Sequence, residues 1–207
     1  AAHLKKIASD KEVALIPNFA DLETFFPKEK DQSLLNQLQL NSGITIAYTG
    51  ALGQVNAVDE LVELAFLAQK RGKSWNFLIM GEGSEKSALI EKSRKLNLRN
   101  IHFLPFGPKQ QVNEVLNLAD WAWISFAHFP VLKTNSPNKF FDALAAGKPI
   151  LVNHKGWVHE LVKTHQIGIS FLPGKWEIAF SKLENLENER EKLLEMGKKS
   201  RMLAEQV

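Results

Sequence analysis

Short apolar segments alternate with helical patterns along most of the chain. The apolar segments are continuous runs of Val, Ile, Leu, Phe and Trp, which is typical of strands buried on both faces. We predict strands at 13–16, 44–49, 77–80, 101–104, 121–126, 149–153 and 168–172. A helix is predicted after nearly every strand, so the connections are βαβ units and the sheet is parallel. The sequence therefore predicts an α/β fold, a Rossmann-like doubly wound parallel sheet.

The predicted helices lie at 84–96, 110–118, 137–146 and 157–165, followed by two charged helices. A further helix is expected to begin near Asn56, as its N-cap, because apolar side chains follow at the spacing of one helical face: Val58, Leu61, Val62 and Ala65. Residues 1–40 read as an entry segment and connector, with a short helix at 34–40.

The composition excludes several classes of protein. There are 26 Lys and Arg against 23 Asp and Glu, without a basic stripe, so no nucleic-acid partner is expected. The absence of cysteine excludes disulfides, iron–sulfur clusters and cysteine nucleophiles. His154 and His159 are five residues apart, whereas a helical metal pair needs a spacing of four, so no metal site is predicted.

Both ends of the sequence lie inside helical patterns. Residues 1–6 read as the tail of a helix, and residues 204–207 close without a cap or stop signal. We therefore expect residues 1–207 to be one domain of a longer protein.

Two loops that follow predicted strands contain a pair of glycines. The first is Gly50-Ala51-Leu52-Gly53, where a ligand can approach the backbone closely. In the second, at 81–83, a dinucleotide fingerprint would need a third glycine at the position of Lys86, so a nicotinamide cofactor is not predicted. Either this loop is a tight turn between strand and helix, or Lys86 holds an anion.

The segment at 134–150 combines a helix start with opposite charges. Ser136 is the expected N-cap and Pro137 the expected first helical residue, followed by Asn138 and Lys139. The helix N-terminus and Lys139 favour a phosphate, and Asp142 on the same face suits sugar hydroxyls. The pattern suggests a nucleotide, although an ordinary capped helix with a surface Lys139–Asp142 ion pair fits the spacing equally well.

Five segments together resemble a known family. At 17–27, 48–53, 78–86, 136–149 and 196–205 the sequence is similar, in order and at matching spacing, to the C-terminal domain of GT-B glycosyltransferases of family 4. The resemblance implies one half of a GT-B fold that binds a nucleotide-diphosphate sugar without a metal or other cofactor. It also implies an N-terminal acceptor domain, which these residues do not include, and a retaining reaction.

The resemblance also assigns roles to residues. Asp142 takes the place of the second glutamate of the E-x7-E motif, which holds the ribose, and Thr134 stands where the first glutamate contacts the donor sugar. These two form the predicted catalytic set. The predicted donor-binding residues are Gly50, Ala51, Leu52, Gly53, Lys86, Phe106 (in the base-binding loop), Ser136, Pro137, Asn138, Lys139 and Asp142.

The sequence departs from the family at the diphosphate site. Ala51 and Asn56 stand where many members have an arginine and a lysine. A diphosphate leaving group needs fixed cations or N–H donors where its negative charge develops. Either the charge comes from Lys139, from Lys86 and from helix N-termini, which we expect, or the domain binds its donor weakly.

The expected function is that of the donor-binding domain of a retaining, metal-independent glycosyltransferase in cell-envelope polysaccharide or lipopolysaccharide synthesis, inactive without its other domain. The expected partners are a UDP-linked sugar donor, the N-terminal domain and a lipid-linked acceptor at the membrane surface. The expected location is the cytoplasm or the inner face of the membrane. Two alternatives remain open: a sugar-nucleotide epimerase of the same fold, and a non-catalytic sugar-nucleotide-binding module.

Overall fold

The computed structural model describes residues 18–207, in which six parallel strands form one sheet. The strands are β1 (Thr45–Thr49), β2 (Asn76–Met80), β3 (Ile101–Leu104), β4 (Trp121–Ile124), β5 (Ile150–Val152) and β6 (Gly168–Ser170). Their order across the sheet is β3-β2-β1-β4-β5-β6. All six were predicted from the sequence to within two residues at each end, and the strand predicted at 13–16 lies outside the described residues.

Eight α-helices accompany these strands in the described part of the chain. They are α1 (Gln32–Gln37), α2 (Asp59–Lys70), α3 (Lys86–Lys95), α4 (Lys109–Leu118), α5 (Asn138–Ala145), α6 (Trp157–Thr164), α7 (Trp176–Leu186) and α8 (Arg190–Ala204). Short 3-10 helices occur at Gln54–Asn56 and Pro130–Thr134.

The sheet is buried on both faces. Alternate strand residues pack on α2, α3 and α7 on one face, and on α4, α5, α6 and α8 on the other. Trp121 and Trp123 of β4 are fully buried on the first face, whereas Ala122 and Ile124 belong to the second. The predicted doubly wound, Rossmann-like α/β architecture is therefore confirmed.

Two predicted helix caps are wrong. Asn56 ends a 3-10 turn, and α2 begins three residues later at Asp59. Ser136 does not cap α5, because Pro137 is extended (φ −81°, ψ 126°) and itself occupies the cap position. No side chain caps α5. Both residues instead accept a hydrogen bond from a distant part of the chain, Asn56 through its side chain and Ser136 through its backbone carbonyl.

Within residues 18–207, no helix has the combination of length and apolarity that a membrane crossing requires.

Candidate functional site

A cavity of about 320 Å³ opens at the carboxyl edge of the sheet. It lies near the point where the strand order reverses, because the chain proceeds from β1 to β2 and β3 on one side and from β4 to β5 and β6 on the other. Ligands of open α/β sheets bind at such a switch point. The cavity is lined by Thr49, Gly50, Ala51, Asn56, Met80, Phe106, Val112, Phe126, Asn135, Pro137, Asn138, Lys139 and Asp142.

The amine of Lys139 reaches from α5 to the loop that follows β1. Its Nζ donates to Tyr48 Oη (2.7 Å) and to Asn56 Oδ1 (2.8 Å), and it lies 4.4 Å from the centre of the Tyr48 ring. The Tyr48 hydroxyl in turn donates to the carbonyl oxygen of Ala51 (2.6 Å). Gly50 makes room for the lysine: a Cβ there would lie 3.3 Å from Lys139 Cε, and its φ of +143° suits glycine.

Burial shifts the pKa of both Lys139 and Tyr48. Loss of hydration lowers the pKa of Lys139 to about 7 and raises the pKa of Tyr48 above its usual value. The ion pair between Lys139 and Asp142 that the spacing allowed does not form, because the lysine side chain turns toward Tyr48 and Asn56 instead.

The N-terminus of α5 forms another wall of the cavity. The amides of Asn138 and Lys139 precede the first hydrogen bond of this helical turn, from Phe140 N to Pro137 O (3.0 Å). They therefore belong to the donors that a helix start leaves open. Asn18 holds the approach to this turn, since its Nδ2 donates to Ser136 O (2.6 Å) and to Asn138 Oδ1 (2.8 Å).

Asp142 lies one helical turn beyond Lys139 and also lines the cavity. Partial burial raises the pKa of its carboxyl to about 6, and the nearby Lys109 opposes part of this rise. Lys109 is itself bound to Asp21 (3.0 Å). A carboxylate in this position accepts hydrogen bonds, which suits a ligand that carries hydroxyl groups.

The second glycine loop supports the first one from behind. Leu52 N donates to Glu82 O (2.7 Å), and Glu85 N donates to Leu52 O (2.9 Å). A Cβ at Gly81 would lie 1.9 Å from Gly50 O, and one at Gly83 would lie 2.3 Å from Leu52 O. Lys86 pairs with Glu82 and does not line the cavity.

The structure brings seven of the predicted binding residues together at the cavity: Gly50, Ala51, Phe106, Pro137, Asn138, Lys139 and Asp142. Five other predicted site residues, Lys86 among them, do not line it. Leu52 is fully buried beneath the loop, Gly53 precedes the 3-10 turn, and the carbonyl of Ser136 accepts from Asn18. Thr134 is exposed, and its hydroxyl donates to Val131 O (3.0 Å).

Tyr48 is the main residue of the candidate site that sequence reasoning missed. It is the only tyrosine of the sequence, and it lies two residues before the glycine that follows β1. A single phenol in an apolar strand next to a glycine loop was the available signal, because a buried hydroxyl needs a hydrogen-bond partner.

Within residues 18–207, no cluster of three or more histidine or carboxylate side chains is placed to hold a metal ion.

Comparison with known sequences identifies relatives over most of the chain. The family model described as glycosyl transferases group 1 matches residues 32–202. An uncharacterized glycosyltransferase of Haemophilus influenzae is 27% identical over 192 residues, which cover 92% of this chain and 50% of the relative. The chain thus spans about half the length of the curated relative that it matches.

Solved structures share the fold at low sequence identity. The C-terminal domain of LpcC, a glycosyl transferase group 1 family protein from Francisella tularensis, superposes with a TM-score of 0.73 at 17% identity, over 90% of this chain and 97% of that one. Anabaena Alr3699/HepE, solved in complex with UDP-glucose, superposes with a TM-score of 0.77 at 16% identity, over 93% of this chain and 52% of that one. WaaG, a glycosyltransferase involved in lipopolysaccharide biosynthesis, superposes with a TM-score of 0.70 at 15% identity, over 93% of this chain and 52% of that one.

Proposed function

The chain belongs to the glycosyl transferases group 1 family, and on that premise we propose that it is the donor-binding domain of a glycosyltransferase. In this proposal the cavity near β1 and β4 holds the diphosphate and the nucleoside of a nucleotide-diphosphate sugar. The observation that carries it is a lysine amine that faces the same cavity as the first turn of α5. A cation and open helix N–H groups together are a recurring arrangement for phosphate.

The other cavity residues fit the remaining parts of such a ligand. Asp142 would accept hydrogen bonds from the ribose hydroxyls, and Phe106, which is 67% exposed at the rim, would lie beside the base. The backbone at Gly50 and Ala51 would approach the diphosphate and the sugar. UDP is the proposed nucleotide, which the UDP-glucose complex of the structural relative Alr3699/HepE supports.

The rest of the enzyme is part of the same proposal. The chain covers half of its curated relative, which supports a second domain that binds the acceptor. Exposed apolar side chains are frequent in the segments at this edge of the domain, and a neighbouring domain would cover them: Phe19, Val55, Phe106, Phe129 and Val131. Without that domain we expect no sugar transfer.

The finer reaction and the setting are also proposals. A retaining, metal-independent reaction follows from the family resemblance of the motifs. The likeness to WaaG supports a role in lipopolysaccharide or a related envelope polysaccharide. The enzyme would act in the cytoplasm or at the inner face of the membrane on a lipid-linked acceptor.

Calorimetric titration with UDP, GDP, TDP and ADP tests the donor site. We expect UDP to bind with a Kd on the order of 0.1–1 mM, since half of a two-domain site binds weakly. Asp142→Ala should lower the affinity for UDP at least about tenfold, roughly 1.4 kcal/mol. Glu91→Ala, on the exposed side of α3, should leave the affinity for UDP unchanged. If Asp142→Ala and Lys139→Met both keep the affinity of the unmodified protein, the site is assigned wrongly.

One observation favours a second candidate, a module that binds a sugar nucleotide without transferring it. Thr134, in place of the first motif glutamate, has no carboxylate to offer the donor sugar, and its hydroxyl donates to Val131 O. Sugar transfer by the full-length protein, in a panel of donors and acceptors, would exclude this candidate. UDP binding without transfer across the panel would favour it.

A further inference from the structure

The amine of Lys139 has only uncharged partners in the described part of the chain. The Tyr48 hydroxyl gives its hydrogen to Ala51 O, so its oxygen must accept from Lys139, and Asn56 Oδ1 can only accept. These two bonds use both hydrogens of a neutral amine, or two of the three hydrogens of an ammonium. The third position of Nζ is therefore either a lone pair or one further N–H.

Few charges face this amine. From its own helix, Asp142 lines the same cavity, and beyond it Lys109 and Asp21 form an ion pair. From β1 the titratable group is Tyr48, whose pKa burial raises, so it stays neutral. The 3-10 turn contributes the amide of Asn56. In residues 18–207 no carboxylate pairs with Lys139, so no countercharge compensates for the lost hydration of an ammonium.

A bound diphosphate would supply the missing countercharge. We propose that a nucleoside diphosphate binds at this cavity together with one proton, which Lys139 Nζ takes up from solvent. This inference rests on the proposed function of the site. The neutral amine gains a proton to become an ammonium, and its third N–H then donates to a phosphate oxygen. The lowered pKa of the free lysine, about 7, agrees with this arrangement.

The proposal predicts how affinity depends on pH. Above about pH 7 the free lysine is increasingly neutral. Each further pH unit should therefore lower the affinity for the nucleoside diphosphate by a factor that approaches ten. The terminal phosphate of UDP has a second pKa of about 6 and is ionised at this pH. The Asp142 carboxyl, with a pKa of about 6, is ionised as well. Proton uptake near pH 8 therefore reports on Lys139.

Calorimetry of UDP binding at about pH 8, in buffers of different ionisation enthalpy, counts the protons taken up. We expect close to one proton per UDP for the unmodified protein. Lys139→Arg carries a guanidinium that is charged at every accessible pH, so its uptake should be close to zero. Lys95→Arg, on an exposed lysine paired with Glu91, is the matched control and should keep the uptake. No uptake by the unmodified protein, or undiminished uptake by Lys139→Arg, would overturn the proposal.

A measurement without ligand separates this inference from the proposed function. The ¹³Cε resonance of Lys139, assigned by its loss in Lys139→Met, should titrate near pH 7 in the free protein. A titration at about pH 10.4, the ordinary lysine value, would overturn the inference even if UDP binds well. A titration near pH 7 without binding of any nucleotide would instead overturn the proposed donor site, and the coupling with it.

Discussion

The two glycine loops are alike in sequence and different in use. Each follows one of two neighbouring parallel strands, β1 or β2, and each has a lysine close by in space. Gly50 and Ala51 of the loop at 50–53 line the cavity, and Lys139 lies over Gly50. The loop at 81–83 packs against the back of the first loop, and its lysine, Lys86, is bound to Glu82.

The difference shows what makes a glycine loop a candidate anion site. A lysine already paired with a carboxylate offers little net charge to a ligand, whereas Lys139 has a hydroxyl and an amide as partners. The glycines of the second loop serve close backbone packing, and Gly50 leaves room for an amine. Spacing along the sequence does not distinguish these cases, because the partners that decide them come from other segments.

Gly81→Ala should cause the largest loss of stability, because it disrupts the packing of the second glycine loop against the first. The new Cβ would lie 1.9 Å from the carbonyl oxygen of Gly50, so the backbone of one loop must move. We expect a loss of about 2–4 kcal/mol in the free energy of unfolding, measured by urea denaturation.

Gly53→Ala is the matched control within the first loop. A Cβ there would meet its nearest atom at 3.9 Å, and the backbone is extended (φ −119°). Stability should stay the same or rise by up to about 1 kcal/mol. Equal stability of the two alanine variants would contradict the supporting role of the second loop.

Gly50→Ala should weaken ligand binding with a smaller loss of stability. The added methyl group would crowd Lys139 Cε at 3.3 Å and requires a φ of +143°. We expect UDP affinity to fall about tenfold, roughly 1.4 kcal/mol, in calorimetric titration.

Gly72→Ala separates backbone strain from displacement of the lysine. Gly72 also has a positive φ, +67°, but no atom lies within 4 Å of the position that the new methyl group would take. This variant should lose stability while UDP affinity stays unchanged. A comparable fall in affinity for both variants would show that general destabilisation, rather than the position of Lys139, weakens binding.

Lys86→Met should change both stability and UDP affinity the least. It removes a partly exposed ion pair with Glu82, and such pairs contribute about 0–1 kcal/mol to stability. UDP affinity should change by less than about twofold, roughly 0.4 kcal/mol. A loss as large as that of Lys139→Met, measured side by side, would assign the second loop to the anion site.

The order of strands and helices was predictable because it depends on local patterns. Buried strands such as Phe77-Leu78-Ile79-Met80 are continuous apolar runs, and the connections in a parallel sheet follow from their alternation with helices. The carboxyl edge of the sheet, and with it most of the cavity residues, then followed from topology.

The errors fell on residues whose partners lie far away in the sequence. Asn56 and Ser136 are good N-cap types, but Asn56 Oδ1 accepts from Lys139, 83 residues later, and the backbone carbonyl of Ser136 accepts from Asn18, 118 residues earlier. A local rule cannot anticipate such partners. The Lys139–Asp142 pair is a similar case, since Tyr48, 91 residues away in the sequence, takes the amine.

A crystal structure of the protein with UDP tests the central claim most directly, because both candidate lysines are visible in one experiment. The account predicts a phosphate oxygen within hydrogen-bond distance of Lys139 Nζ and of a backbone N–H in the first turn of α5, with the ribose hydroxyls at Asp142. A diphosphate bound to Lys86 at the start of α3, with Lys139 still bonded only to Tyr48 and Asn56, would contradict it.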